Sequence, residues 1–262
     1  MKRALIGHTG FVGSNLAAQG SYDAFFRSRN IEDMAGQSYD LVVCAGIQAK
    51  KWWANDHAEE DRQGIRRLLD VLATVRAGCM VLISTVDVYP QPSGVDEDSP
   101  IDPGINHAYG RNRFEAEQSI RALFPSHVVV RLPGLFGEGI KKNVIHDLLH
   151  DHELHKINPA GVYQYYSLDR IQADIDKAVA MGIPLVNFSA EPVSTREIIG
   201  RFFPDKQVGP ETAFKASYDM HSKYADAWGS KRPGYLFSRG DVLGQLEVFL
   251  GRHGVRSVSS NS

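Results

Sequence analysis

The stretch Gly7-His8-Thr9-Gly10-Phe11-Val12-Gly13 constrains this chain more than any other. It follows the apolar run Ala4-Leu5-Ile6 and opens a segment, Phe11 to Gln19, that reads as a helix. Strand, glycine turn and helix in that order form a phosphate cradle. The first glycine allows a tight turn, the second lets a pyrophosphate approach the backbone, and the third lets the helix pack on the strand. The anion sits on the helix N-terminus, where unpaired N–H groups and the helix dipole attract it. Gly7, Thr9, Gly10, Phe11, Val12 and Gly13 are therefore expected to hold a dinucleotide. The alternative is a purely structural glycine turn.

Strand-like and helix-like segments alternate after this loop. Lys2–Gly7, Asp23–Arg27, Tyr39–Ala45, Cys79–Ser84 and His127–Leu132 read as strands. Ala54–Arg76 reads as one long helix, with Ile65, Leu68, Leu69 and Leu72 at helical spacing, and His107–Phe124 as another. Continuous apolar strands alternating with helices predict an α/β fold, a Rossmann-type doubly wound parallel sheet covered on both faces. Past Leu132 the pattern breaks at Pro133-Gly134 and Gly137-Glu138-Gly139, and a helix is expected at Val144–His150. The reading is a dinucleotide-binding domain over 1–133 and 163–189, with a small C-terminal substrate lobe over 134–162 and 190–251. Residues 252–262 read as a disordered tail. Ligands of such folds lie outside the carboxyl ends of the strands.

Charge narrows the partners. With 29 Lys and Arg against 31 Asp and Glu, the near-neutral chain suggests neither a nucleic acid nor a membrane surface. No apolar run is long enough to span a bilayer. The sequence enters its first strand directly after Lys2-Arg3, so no signal peptide is expected. Cys44 and Cys79 sit in or beside strand-like runs and read as reduced core residues of a cytoplasmic protein. No metal site is expected: of His146, His150, His152 and His155, only the first two share helical spacing, and a solvated helix end accounts for them. Trp52-Trp53 are expected to pack on the long helix.

The second strand ends in Arg27-Ser28-Arg29, where an NAD site usually carries an acid for the ribose hydroxyls. Nothing there repels a 2′-phosphate, and two guanidinium groups match phosphate oxygens in a fork geometry. The expected cofactor is NADP, with NAD as second choice. Tyr109 and Arg113 lie four apart on one helix face, which continues through Ala116, Ile120 and Leu123 as a buried stripe. Arg111 and Glu115 read as a surface pair on another face. Ser84 and Thr85 end the fourth strand, where a hydroxyl reaches toward the ligand.

Taken with the glycines, the segment Ile83-Ser84-Thr85-Val86-Asp87-Val88-Tyr89, Tyr109-x-x-x-Arg113 and Arg131-Leu132-Pro133-Gly134-Leu135-Phe136-Gly137 resemble the extended short-chain dehydrogenase/reductases. The resemblance is to the branch of nucleotide-sugar epimerases, dehydratases and reductases, and Gln164–Asp169 and Glu191–Ser194 follow it more loosely. It implies Tyr109 as acid/base at a substrate oxygen, Thr85 as the hydroxyl that bonds that oxygen, and Ser84 as its neighbouring candidate. Pro133 to Leu135 would lie near the nicotinamide, and Ala45 and Gly46 would line the cofactor site after the third strand. Asp87 falls where dehydratases and decarboxylases carry an acid. With Asn143 it is a candidate substrate contact, as is the basic turn Lys141-Lys142. The departure is Arg113, where the family has lysine. Arginine keeps a positive charge beside Tyr109 and offers donors for ribose hydroxyls, but it cannot give up its proton.

The implied activity is an NADP-dependent oxidoreductase on a nucleotide-linked sugar, with hydride transfer at a sugar carbon. It is a reductase, epimerase or dehydratase, and the short second lobe favours a reductase. A possible homodimer through two helices fits the resemblance. The alternatives are an NADP-binding regulatory or scaffold protein in which Arg113 has cost the activity, and a reductase of a non-sugar carbonyl.

Overall fold

A computed structural model of the chain describes residues 1–213 and 216–257. The end of the expected tail, 258–262, lies outside the described residues. The elements are, in order, β1 (Arg3–Ile6), α1 (Phe11–Gln19), β2 (Ala24–Phe26), β3 (Ser38–Cys44), α2 (Lys51–Asp56), α3 (Ala58–Leu72), β4 (Arg76–Thr85), β5 (Ser93–Val95), α4 (Ala108–Leu123), β6 (His127–Leu132), β7 (Gly134–Phe136) and α5 (Val144–His150). They continue with β8 (Val162–Tyr163), β9 (Tyr165–Ser167), α6 (Ile171–Ala180), β10 (Leu185–Asn187), β11 (Val193–Ser194), α7 (Thr195–Phe202), β12 (Asp219–Met220) and α8 (Arg239–Arg252).

The chain divides into two units. The first comprises 1–91, 98–132 and 169–187, and the second 92–97, 133–168 and 188–262. Relative to the expected partition, 92–97, 133, 163–168 and 188–189 group with the second unit.

The first unit is built on one six-stranded sheet in the order β10-β6-β4-β3-β1-β2. Every pairing in it is parallel. This is the Rossmann-type sheet that the unbroken apolar strands imply. Val42, Val43, Val81, Leu82, Val129 and Val130 are buried in adjacent strands, and burial on both faces is what such runs require.

One expected helix proves to be two. His57 leaves the helical region at φ −126°, ψ 57°, ending α2 and starting α3. Glu59, Glu60 and Asp61 then occupy the first turn of α3, where carboxylates favour a helix start. The turn matters because Asp61 is buried there. Trp52, expected to pack, is 67% exposed, and only Trp53 finds a stacked neighbour, His57. The stripe of α4 also shifts at its end: Leu123 is exposed and Phe124 takes the buried place. Glu115 pairs with Arg62 of α3 instead of Arg111.

Across the other side of β4 a buried charge pair is fully bonded. Arg131 on β6 donates through Nε and Nη2 to the Glu117 carboxylate of α4, at 3.0 and 2.6 Å. Its Nη1 donates to the Tyr89 hydroxyl at 2.7 Å, and that hydroxyl accepts from Asn187 Nδ2 at 3.0 Å. Ser84 donates to Glu117 Oε1. The network pins α4 to β4, β6 and β10. The second unit has its own polar centre: buried Gln164 donates to the Ala190 and Met220 carbonyls and accepts from the Met220 N–H.

Cys44 and Cys79 are both unpaired thiols, and burial pushes Cys44 up to about 11. No helix among the described residues is long and apolar enough to cross a membrane.

Removing Glu117 leaves Arg131 charged, buried and unpaired. Glu117→Ala is expected to cost about 3–5 kcal/mol of stability, read as a lowered denaturation midpoint in urea. A cost under about 1 kcal/mol would contradict the role given to this pair.

Candidate active site

The glycine loop is shaped by contacts that leave no room for side chains. Gly7 has φ +83°, and a Cβ there would lie 2.3 Å from the Ala45 carbonyl oxygen and 2.7 Å from the Gly46 Cα. A Cβ on Gly13 would lie 2.0 Å from the Gly7 oxygen. The loop is closed by Gly10 N–H to Gly7 O at 2.9 Å, and Gly7 N–H bonds the Phe26 carbonyl of β2. Gly10 caps α1 without a side chain, and no acid occupies the first turn. The helix start is thus bare and electropositive, which fits a dinucleotide diphosphate. Ala45 and Gly46 line the same loop from the end of β3.

Arg27, Ser28 and Arg29 form an exposed turn directly after β2. Asn30, which sequence reasoning missed, holds it: its Oδ1 accepts from Arg27 N–H at 2.8 Å and its Nδ2 donates to the Phe25 carbonyl. Neither guanidinium pairs with a carboxylate among the described residues.

The second part of the site forms where α4 begins. His107 caps the helix, its Nδ1 accepting from Gly110 N–H at 3.0 Å. Asn55 of α2 accepts from Tyr109 N–H at 3.0 Å. Gly110 is as constrained as the loop glycines, since a Cβ there would lie 2.0 Å from the Asp87 carbonyl oxygen. That close approach sets Tyr109 against the end of β4, and the Thr85 hydroxyl bonds its side chain. Asp87 stands in the short turn after β4 and pairs with Lys51 Nζ at 2.7 Å. Tyr109 is 7% exposed.

Ser84 does not join this group. Side chains alternate along a strand, so Thr85 faces Tyr109 while Ser84 turns to Glu117. The reading of Ser84 as a catalytic neighbour is corrected accordingly.

Both terminal nitrogens of Arg113 are committed to protein partners. Its guanidinium lies 3.9 Å above the Tyr109 ring. Nη2 donates to Asp61 Oδ1 at 2.9 Å and to the Gln48 carbonyl, and Nη1 donates to Asp61 Oδ2 and to the Tyr109 carbonyl. Asn112 Nδ2 donates to the same Asp61 carboxylate at 2.8 Å. The four Nη hydrogens meet four acceptors within the protein, while the buried Nε–H has no partner among the described residues.

The phenol of Tyr109 is held above its ordinary range. Burial is the largest cause, and Asp87 adds to it. Arg113, the Thr85 hydrogen bond and Lys51 act the other way without cancelling it. At neutral pH Tyr109 therefore carries its proton. The His107 imidazole is pushed down by burial and by the Lys51 charge, so it rests neutral, as its capping role requires.

Other candidates lie in the second unit. Pro133 is buried and Leu135 half-buried in β7. Asn143 is an N-cap: its Oδ1 accepts from Ile145 and His146 N–H groups and its Nδ2 donates to the Leu135 carbonyl. The side chain is thereby occupied. His146 and His152 both bond Asp147 Oδ1, at 2.9 and 3.0 Å, a grouping that helical spacing does not reveal.

A histidine with a lowered folded pKa binds fewer protons in the native state than when unfolded, so stability rises with pH through that range. His107 thus contributes stability that is present above its unfolded value near 6.5 and lost as pH falls. His107→Asn keeps the cap without titrating, and a thermal-denaturation series from pH 7.5 to about 5 should show a shallower decline than wild type. An identical slope would contradict the assignment.

The chain was compared with known proteins. The family model described as "NAD dependent epimerase/dehydratase family" matches residues 25–161, just over half the chain. No curated protein matches. Among solved structures, a dTDP-4-dehydrorhamnose reductase from Clostridium acetobutylicum aligns with TM-score 0.69 at 17% identity, covering 96% of this chain and 99% of that one. A double mutant of a dTDP-glucose 4,6-dehydratase from Streptomyces venezuelae, with NAD bound, aligns with TM-score 0.72 at 16% identity over 97% and 98%. A Bacillus anthracis dTDP-4-dehydrorhamnose reductase in complex with NADP gives 0.67 at 18% identity over 96% and 100%. At these identities the structures speak for the fold alone. The family match, the glycine cradle and the Tyr109 arrangement together make this chain a member of the NAD dependent epimerase/dehydratase family, enzymes of the extended short-chain dehydrogenase/reductase type.

Proposed function

We propose that this protein is an NADP-dependent oxidoreductase of nucleotide-linked sugars, working in the reductive direction with Tyr109 as the acid. The observation that carries the reading is the resting state of Tyr109: buried, bonded to Thr85 and protonated at neutral pH. A phenol in that state is set to give a proton to a carbonyl oxygen, whereas an oxidation would need a tyrosinate base first. NADP, when bound, supplies the hydride chemistry.

The chain's own residues do the rest. Gly7, Gly10 and Gly13 admit the diphosphate to the bare start of α1. Arg27 and Arg29, unengaged by carboxylates, are the groups that would take a 2′-phosphate. Thr85 orients the phenol and shares the substrate oxygen, and Asp87 stands beside it as the substrate-facing acid. The nucleotide-sugar assignment draws on the relatives: the structural neighbours named above are dTDP-sugar enzymes by their descriptions.

A second reading has one observation in its favour. Arg113, locked onto Asp61, supplies no transferable proton. That supports an NADP-binding protein without turnover, in a regulatory or scaffold role. The two readings separate by following nicotinamide absorbance with NADPH and a panel of nucleotide keto-sugars.

Under the enzymatic reading, Tyr109→Phe lowers turnover by about 10²–10⁴-fold and leaves NADP affinity intact. Turnover that survives the change would overturn the role of Tyr109, and no absorbance change across the panel would favour the second reading. Titrating both dinucleotides should show NADP binding tighter than NAD. Arg27→Asp should weaken NADP by about tenfold or more while sparing NAD. Equal affinities in the wild type would contradict the preference.

A further inference from the structure

Three charged groups, Arg113, Asp87 and Lys51, act on Tyr109, and with Asp61 they form two ion pairs. The first is Arg113, stacked on the ring, with its counter-ion Asp61 from α3. The second is Asp87 from the turn after β4, with Lys51 from the first turn of α2 at 2.7 Å. Thr85 adds a neutral hydroxyl. The uncharged His107 ring at the α4 cap lies 6.2 Å from the Tyr109 ring. The Arg113 pair is sealed, with side chains 4% and 3% exposed. The Lys51 pair opens to solvent, at 39% and 17%.

We infer that Lys51 is a positioning residue of this site, holding and neutralising the Asp87 carboxylate beside Tyr109, an electrostatic task that the buried Arg113 is not free to perform. The inference rests on the reading of Tyr109 as the acting acid. An ammonium 2.7 Å from Asp87 cancels a negative charge that would otherwise oppose loss of the phenolic proton. It fixes the Asp87 carboxylate in one place, toward the end of β4. The two cations thus divide the work: Arg113 fixes the ring and is the larger positive charge on the phenol, and Lys51 neutralises Asp87.

The consequence is a pair of opposite effects. In Lys51→Met, Asp87 loses the Lys51 counter-charge, and the Tyr109 phenol should ionise about one pH unit higher than in the wild type. In Asp87→Asn it should ionise lower, and the double variant should return toward the wild-type value. Lys51→Arg keeps the charge and should stay near wild type. The readout is the Cζ carbon shift of ¹³C-labelled tyrosine in the NADP-bound protein, titrated by NMR and assigned with Tyr109→Phe. This measurement needs no substrate, so an absence of turnover bears on the proposed function and not on Lys51. An unchanged or lowered midpoint in Lys51→Met, or shifts of the same sign in Lys51→Met and Asp87→Asn, would overturn the inference. Lys51 is partly exposed on a short helix, and circular dichroism spectra matching the wild type would confine the effect to charge.

Discussion

The buried ion pair of Arg113 and Asp61 is the interaction on which the rest of the site depends. Both side chains are almost wholly excluded from solvent, and a charge in that position is tolerated only when it is paired and hydrogen-bonded. Asp61 meets the demand with bonds from Arg113 and Asn112, and Arg113 adds the Gln48 and Tyr109 carbonyls. The pair therefore ties α4 to α3 and to the loop after β3. That loop begins at Ala45 and Gly46, the backbone against which Gly7 packs. A single guanidinium fixes the cradle wall, the start of α4 and the plane of the Tyr109 ring.

Strand β4 then separates architecture from chemistry. Ser84 and Thr85 are neighbours in sequence and opposites in space. On one face Ser84 joins Glu117, Arg131, Tyr89 and Asn187 in a closed network that leaves no group for a ligand. On the other, Thr85 meets a protonated Tyr109 with Asp87 and Lys51 close by. Gly110 makes the second face possible, because any side chain there would strike the Asp87 backbone and push α4 away. Burial keeps the phenol protonated, while the Lys51 charge beside Asp87 acts in the opposite direction.

Much of this was legible in the sequence, for identifiable reasons. The glycine cradle, the apolar strands and the Tyr109–Arg113 face are local patterns, set by turn geometry and periodicity. Strand β6 and helix α5 fall on the residues expected. What escaped was settled by contacts distant in the chain. Asp61, Asn55 and Gln48 are 51 to 65 residues from the partners that give them meaning, and Lys51 is 36 from Asp87. Their signal was present only weakly: an acid in the first turn of a helix, and a lysine pair before it. The helix over 54–76 was read as one because its apolar spacing continues past His57, whose backbone breaks it. The charge of Arg113 was visible in the sequence and its four acceptors were not. Asn143 looked like a ligand contact and is a helix cap.

The claim at the centre of this account is that Arg113 serves the fold and the Tyr109 ring, not the cofactor. Arg113→Lys tests it most directly, with stability and NADP affinity measured on the same sample. A lysine cannot reach both Asp61 oxygens and two carbonyls, so the account predicts a loss of about 1–3 kcal/mol of stability with NADP affinity nearly unchanged. Unchanged stability together with a marked change in NADP affinity would contradict it.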